Sequence, residues 1–312
     1  MKMQLDPELA MLDAMVLPDF SDVAELRGWY AAMTAGAPPP ATSPGLDWHD
    51  RKIPGSEGAP EVSVRIYRPK APAIQPAMVY FHAGSVVMGD LDTEHAACLH
   101  YAEQAGCTVI SVDYRLAPEH AFPAPVDDCY AALCWVADHA AELGVDPARL
   151  AVAGSSSGGT LAAAVALMAR DRRGPGLVFQ MMIYPALDDR LDSISMLAST
   201  TGHALTQARV GWMWKHYLGG NGVATSPYAA PARADSLAGL PRAFVEVGAL
   251  DPLRDECIAY GARLLAADVP TDLQVIAGAP HAFEAVASAG VTVRAFAQRV
   301  AVMRAVLGSG PA

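Results

Sequence analysis

The sequence predicts an α/β protein with a mostly parallel sheet of about eight strands, helices on its faces and a helical cap. Short apolar runs alternate along the chain with amphipathic stretches of helical length, and right-handed crossovers join such strands into a parallel sheet. Near the start, two runs alternate apolar and polar residues, which is typical of an antiparallel hairpin. The length of 312 residues suits one domain of this class with an insertion.

The predicted elements follow one another in a regular order. The hairpin strands are DWHDRKI and VSVRIYR, separated by a Gly-Ser-Glu-Gly loop. The later strands are AMVYFH (77–82), CTVISVDY (107–114), RLAVAG (149–154), LVFQMMIY (177–184), RAFVEVG (242–248) and DLQVIAG (272–278). The helices are predicted near 92–105, 126–143, 157–170, 253–267 and 285–306.

Two stretches interrupt this alternation and are predicted to form the cap. Residues 1–45 show helical periodicity and contain a run of three prolines near their end. The interval from Tyr184 to Arg242 is far longer than the roughly 2 to 6 residues of an ordinary βα loop. We therefore predict a core of 46–186 and 226–312, with the cap formed by 1–45 and the insertion 187–225.

Within the insertion, QARVGWMWKHYL is predicted to be a helix that carries three large aromatic residues. Trp212, Trp214 and Tyr217 lie at helical spacing. They either pack the cap onto the body or face inward and line the substrate pocket, where they favour an aryl or compact acyl group. His203 and His216 are predicted cap contacts.

Composition excludes several function classes. With 22 basic and 33 acidic residues the net charge is −11, and such a surface repels nucleic acid. The strongly apolar stretch from Leu161 to Ala169 is far shorter than the roughly 20 residues of a membrane span. The start lacks the pattern of a secretory signal, so we predict a soluble cytoplasmic protein.

The cysteines do not suggest a metal site. They are odd in number and lack the spacing of metal ligands, so they are expected to be reduced thiols: Cys98, Cys107, Cys129, Cys134 and Cys257. We predict neither a metal nor an organic cofactor.

A Gly-x-Ser-x-Gly pattern marks the predicted nucleophile. In the run from Gly154 to Gly158, Ser156 is the serine of this pattern, and the run lies between a predicted strand and a predicted helix. There, flanking glycines let neighbouring backbone approach a strained turn that exposes the serine. The alternative is a serine-rich loop that caps the helix.

A serine nucleophile needs a base, and the base needs a carboxylate to orient it. Asp251 and His281 each lie three residues beyond a later predicted strand. The order Ser, Asp, His is the one expected of the α/β-hydrolase arrangement. Asp188 and Asp189 remain alternative acids, while Asp255 is interpreted as an acid in the first turn of a helix.

The segment YFHAGSVVMGD ends the third predicted strand and has the position of an oxyanion-hole loop. Such a hole needs one N–H donor beside the nucleophile and another from this loop. The run from His82 to Ser85 could supply the second donor. His82 opens the loop and is predicted to contribute to the substrate pocket.

Together these motifs resemble the hormone-sensitive-lipase-like esterases, the bacterial family IV carboxylesterases. The resemblance covers about residues 75–300. It runs through FHAGSVVMGD, YRLAPEHAFPAPVDD (114–128), GSSSGG (154–159), SPYAAP (226–231), LDPLRDE (250–256) and PHAF (280–283). It implies that Ser156 is the nucleophile, that His281 is the general base and then acid, and that Asp251 orients His281.

The resemblance also implies that the backbone N–H groups of Gly84, Ser85 and Ser157 form the oxyanion hole.

The chain departs from the family pattern at two places. The family loop is usually His-Gly-Gly-Gly, whereas this chain has Ala83 and Ser85, and a Cβ at these positions restricts φ. The family elbow is commonly Gly-Asp-Ser-Ala-Gly-Gly, whereas Ser155 and Ser157 flank the nucleophile here. Tyr114, Arg115 and Glu119, in the YRLAPE segment, are implied to be structural.

The function implied is hydrolysis of short- to medium-chain acyl or aryl esters by a chain that forms a homodimer through its last strand and helix. Because His281 must be neutral to act as a base, activity is predicted to fall below about pH 6 to 7. Two alternatives remain. One is an amide- or carbamate-cleaving hydrolase with the same triad. The other is a non-catalytic receptor, like the plant gibberellin receptors, which share the fold but lack the histidine.

Overall fold

The computed structural model describes residues 3–34, 42–70, 74–200, 205–220 and 226–308. The strands are β1 (Leu46–Ile53), β2 (Val62–Pro69), β3 (Gln75–Phe81), β4 (Thr108–Asp113), β5 (Val145–Ser155), β6 (Leu177–Ile183), β7 (Arg242–Gly248) and β8 (Thr271–Ile276). They form one eight-stranded sheet in the order β1-β2-β4-β3-β5-β6-β7-β8.

The sheet is mostly parallel, as the sequence predicted. β2 pairs antiparallel with both β1 and β4, and all other neighbours pair in parallel. β2 is therefore the one strand of this sheet that runs against the rest. The predicted hairpin is confirmed as β1 and β2. Because the strands that follow run in parallel, the loops after β3, β5, β7 and β8 meet at one edge.

The helices lie close to their predicted positions. They are α1 (Val23–Thr34), α2 (His95–Ala105), α3 (Ala124–Asp138), α4 (Ala140–Leu143), α5 (Ser157–Asp171), α6 (Ile194–Ala198), α7 (Gln207–Tyr217), α8 (Arg254–Ala266) and α9 (Gly290–Leu307). The segment predicted as one helix over 126–143 is divided at His139 into α3 and α4. Short 3-10 helices cover Pro7–Ala14, Pro231–Arg233 and Phe283–Ala285.

The core is densest around β3, β5 and α5. Every residue of β3 is buried, and so is every residue of α5 from Ser157 to Ala169. Glycine and alanine on α5 allow the helix to lie close to the sheet. Helix α3 packs against α5, and α2 packs against α9. A rigid strand–helix unit therefore supports the turn between β5 and α5.

The cap segments make a second, smaller apolar cluster. Phe20 and Leu26 from the N-terminal segment pack with Val87 and Ala117 of the core, and the partly buried Trp212 of α7 joins them. His216 of α7 contacts the backbone oxygen of Phe20 at 3.0 Å, as expected for a cap contact. His203 lies outside the described residues. Among the described helices, none has the length and apolar character needed to cross a membrane.

Candidate active site

Ser156 lies at a sharp turn between the end of β5 and the start of α5. Its backbone has φ 52° and ψ −121°, a conformation that is strained for a residue with a side chain. The Ser156 N–H donates to the Ile183 oxygen at 2.9 Å, which fixes the turn. A Cβ on Gly158 would lie 2.0 Å from the Phe81 oxygen, so glycine is required there. The turn has the geometry of a nucleophile elbow.

Three side chains from separate loops form a continuous hydrogen-bonded path. Ser156 Oγ lies 3.0 Å from His281 Nε2, and His281 Nδ1 lies 2.7 Å from Asp251 Oδ2. Asp251 follows β7 and His281 follows β8, so the parallel sheet brings both to the elbow. Ser156 is partly exposed, whereas His281 and Asp251 are buried. This order of contacts can move a proton from the serine to the imidazole.

The carboxylate of Asp251 is fixed on both sides. Its Oδ1 accepts the Leu253 N–H at 2.9 Å, and its Oδ2 faces His281. The alternative acids are engaged elsewhere: Asp188 pairs with Arg190, and Asp189 pairs with Arg233. Asp255 lies in the first turn of α8, as predicted, and pairs with Arg254. The structure therefore brings Asp251, and none of these alternatives, into contact with the imidazole.

The loop after β3 adopts an unusual backbone. Gly84 has φ 131°, Ser85 has φ 56° and Val86 has φ 62°. A Cβ on Gly84 would lie 2.0 Å from the Met88 oxygen, which excludes other residues. The Gly84 oxygen accepts the N–H groups of Val87 and Met88 at 3.0 Å each. Ser85 thus adopts a left-handed conformation despite its Cβ, at a cost of about 1 to 2 kcal/mol.

The predicted oxyanion donors lie at one end of the sheet. β3 pairs with β5 so that Phe81 lies opposite Gly154, and the loop carrying Gly84 and Ser85 therefore leaves the sheet beside the elbow. Ser157 is the first residue of α5 and is fully buried, with its N–H at the helix N-terminus. Backbone donors from the two predicted places are thus adjacent.

His82 does not line an open pocket, and that prediction is corrected. Its side chain is fully buried and stacks on Tyr114, with ring centroids 4.2 Å apart. Its Nδ1 lies 2.7 Å from the Ala83 oxygen. Burial lowers the pKa of His82 to about 4, so it is neutral at physiological pH. His82 supports the oxyanion loop from behind.

For two of the three cap aromatics, the structure favours the alternative in which they pack the cap onto the body. Trp214 and Tyr217 are buried in the main core, and the Tyr217 ring meets Phe122 edge-on at 5.9 Å. They pack α7 onto the body, because the inward face of this helix points at the core. Trp212 differs: it is partly exposed and borders a cavity of about 440 Å³ between α7 and the N-terminal segment.

The residues of the YRLAPE segment make structural contacts. The Tyr114 hydroxyl donates to the His82 backbone oxygen at 2.8 Å, below the oxyanion loop. Arg115 forms a bidentate pair with the buried Asp128. Glu119 receives two hydrogen bonds from the Arg27 guanidinium on α1. This segment therefore connects the core, the oxyanion loop and the N-terminal helix.

Three polar residues around the site were not predicted from the sequence: Glu94, Arg27 and Arg299. Arg299 is fully buried and pairs with Glu284, three residues after His281, and with Glu246 of β7. Helical spacing gives a signal for Arg299, since it occupies the apolar face of α9 where a charge is unexpected. Glu94 and Arg27 give no comparable signal, because their contacts lie about 60 or more residues away along the chain.

The arrangement of the elbow serine, the imidazole and the carboxylate is typical of a serine hydrolase. Among the residues that the structure describes, no group of three or more histidine, cysteine, aspartate or glutamate side chains is placed to hold a metal ion. The fold and the site together define the class as an α/β hydrolase with an elbow serine.

Comparisons with known proteins agree with this class. A family model described as alpha/beta hydrolase fold matches residues 78–285. Carboxylic ester hydrolase LipN of Mycobacterium tuberculosis is 37% identical over 294 residues, covering 89% of this chain and 77% of that protein. Carboxylesterase NlhH of the same organism is 38% identical over 276 residues, covering 86% and 85%.

A solved structure gives a close match in three dimensions. The structure titled Bacterial Heroin Esterase has a TM-score of 0.94 and 38% identity, and the match covers 98% of this chain and 99% of that one. The chain belongs to the hormone-sensitive-lipase-like carboxylic ester hydrolases of the α/β-hydrolase fold.

Proposed function

We propose that this carboxylic ester hydrolase cleaves short- to medium-chain acyl or aryl esters through an acyl-enzyme on Ser156. The observation that carries the proposal is the path from Ser156 Oγ to His281 Nε2 at 3.0 Å and from His281 Nδ1 to Asp251 Oδ2 at 2.7 Å. A hydroxyl at this distance from an imidazole can transfer its proton as it attacks.

In the first step Ser156 Oγ attacks the ester carbonyl carbon while His281 accepts the serine proton. The carbonyl oxygen becomes an oxyanion, which the N–H groups of Gly84, Ser85 and Ser157 stabilise. Asp251 stabilises the imidazolium. His281 then gives the proton to the alkoxy oxygen, and the alcohol leaves an acyl-Ser156. Water repeats the sequence, with His281 as base, and releases the acid.

Substrate selection is proposed to lie with the cap, formed by 1–45 and 187–225. The packing of Trp212 against the N-terminal segment supports this proposal. Arg209 of α7 donates to the Leu17 oxygen at 3.2 Å, which joins the two cap segments.

Two further points belong to the proposal. The five free cysteines, four of them buried, suit a reducing cytoplasmic compartment.

A homodimer through β8 and α9 is supported by the edge position of β8, whose Val275 is exposed. Light scattering on the purified chain tests the dimer: a monomeric mass at micromolar concentration would contradict it.

Hydrolysis of p-nitrophenyl acetate, butyrate and octanoate tests the nucleophile. We expect Ser156→Ala to lower kcat on the order of 10³-fold or more, and Asp251→Asn to lower it on the order of 10³–10⁴-fold. Ser56→Ala in the β1–β2 turn and Asp255→Asn are the matched controls and should stay near wild type.

The same assay separates the alternatives. Comparable rates for wild type and Ser156→Ala would rule out Ser156 as the nucleophile. Faster cleavage of aryl amides or carbamates than of matched esters would favour the amidase alternative. A folded wild type that is inactive on every acyl donor would favour the receptor.

A further inference from the structure

A buried carboxyl group lies behind the nucleophile elbow and has no part in the triad. Glu94 directly precedes α2, and part of the residue reaches the surface. Its carboxyl group points inward: Oε1 accepts the Ser155 hydroxyl, and Oε2 is buried without a hydrogen-bond partner. Ser155 is the residue immediately before the nucleophile.

The carboxyl of Glu94 connects three segments of the site. The Ser155 hydroxyl belongs to the elbow, and the Tyr80 hydroxyl, 3.4 Å from Ser155 Oγ, belongs to β3. The backbone N–H of Ala83, in the oxyanion loop, lies near enough to lower the pKa of this carboxyl, although it does not reach hydrogen-bond geometry. A single side chain thus lies beside both the elbow and the oxyanion loop.

Within the described part of the chain, no cationic side chain contributes to the pKa shift of Glu94 or explains its burial. Burial raises the pKa of Glu94 to about 7, and the nearby Glu284 carboxylate adds to the rise. The hydroxyls of Ser155 and Tyr80 and the Ala83 N–H oppose it. The other titratable groups that couple to Glu94 are Tyr30 on α1, Cys98 on α2 and Tyr114 after β4.

A buried acid without a cationic partner lowers the free energy of unfolding. Groups retained at such a cost concentrate at functional sites. The elbow sequence supports a functional role as well, because the family that this chain resembles commonly has an aspartate at the position of Ser155. In this chain, the carboxyl group beside the elbow comes from Glu94, which lies on another segment.

We propose that Glu94 is a positioning residue: through Ser155 and the Ala83 N–H, its carboxyl fixes the distance between the Ser156 nucleophile and the oxyanion donors. The inference rests on the proposed function of Ser156. A displacement of the oxyanion loop by even about 1 Å weakens stabilisation of the transition state more than substrate binding. The effect should therefore fall on kcat.

Steady-state kinetics with p-nitrophenyl butyrate tests the proposal. We expect Glu94→Ala to lower kcat about 10- to 100-fold while KM changes less than about threefold. Glu94→Gln should stay within about fivefold of wild type, because its amide oxygen still accepts the Ser155 hydroxyl. Glu103→Ala and Glu103→Gln, on the exposed side of α2, are the matched controls.

A double-mutant cycle tests whether Glu94 acts through Ser155. If it does, Glu94→Ala/Ser155→Ala should be no more than about threefold slower than Glu94→Ala alone. Thermal unfolding of each variant separates positioning from loss of fold. Independent, multiplicative effects of the two changes would overturn the proposal. So would a folded Glu94→Ala with the kcat of wild type, or equal losses in the Gln and Ala variants.

Failure here is distinguishable from failure of the proposed function. If Ser156→Ala abolishes activity while the Glu94 variants keep it, the triad stands and the positioning role is wrong. If Ser156→Ala retains activity, the proposed function itself is wrong.

Discussion

The elbow region and the N-terminal helix α1 are stabilised in opposite ways. Around the elbow, α5 is buried along thirteen consecutive residues, from Ser157 to Ala169, and packs on fully buried strands. Helix α1 contacts the core through a small apolar cluster around Phe20 and Leu26 and a few polar contacts such as those of Arg27. Changes in the elbow region should therefore affect global unfolding or chemistry, and changes in α1 should affect local opening.

Replacing the buried Arg299 should produce the largest loss of stability. Its guanidinium pairs with Glu246 and Glu284, and the change to methionine leaves one fully buried and one half-buried carboxylate without a cation. We expect Arg299→Met to lower the free energy of unfolding by about 3 to 5 kcal/mol in urea titration. Arg304→Met, on the exposed side of α9, is the control. Equal stability of the two variants would contradict the stabilising role of the buried Arg299 pairs.

The pH dependence of stability tests the burial of His82, which lies between the two regions. Its folded pKa of about 4 lies below the unfolded value of 6.5, so the unfolded state takes up a proton first as pH falls. The contribution of the neutral His82 side chain to the free energy of unfolding is therefore present above pH 6.5 and is lost as the pH falls toward 4. The loss reaches about 3 kcal/mol.

Urea titrations at pH 7 and pH 4 measure this loss. We expect His82→Phe to lose less stability than wild type between the two pH values. His49→Phe, at an exposed position, should keep the wild-type dependence. A His82→Phe variant with the same pH dependence as wild type would show that folding does not lower the pKa of His82.

Removing the Arg27 contacts of the N-terminal helix α1 should have the smallest effect on the free energy of unfolding. Arg27 Nε donates to the Val87 oxygen at 2.7 Å, and its exposed pair with Glu119 contributes little. We expect Arg27→Met to lower the free energy of unfolding by less than about 1 kcal/mol. Limited proteolysis within residues 3–34 should nevertheless become several-fold faster, since local opening needs fewer contacts to break. Arg51→Met is the control for a surface pair. A loss of several kcal/mol in the free energy of unfolding would show that α1 unfolds together with the core.

The buried strands around the elbow were the part of the fold that could be predicted best from the sequence. Strands buried on both faces, such as β3 and β6, are mostly apolar runs, so their composition located them. The parallel order then placed the loops of Ser156, Asp251 and His281 at one edge. The topology therefore predicted that the three side chains meet, whereas the distances between their atoms could be obtained only from the structure.

Side-chain direction was less predictable. Trp212 and Trp214 share one helix, and helical spacing alone could not indicate which of them faces the core. His82 follows its strand directly, but its stacking on Tyr114 depends on a loop that is distant in the sequence. Glu94 meets Ser155 only because α2 begins behind the elbow. Such contacts depend on tertiary packing, which local patterns do not encode.

Covalent labelling tests the central claim most directly. Diethyl p-nitrophenyl phosphate transfers its diethylphosphoryl group to an activated serine oxygen and releases p-nitrophenol, so activity and label can be followed together. Peptide mass spectrometry of the inactivated enzyme should find one diethylphosphoryl group, on Ser156, and none on Ser156→Ala. Complete inactivation with the label on Ser155, on Ser157 or on another residue would contradict the account.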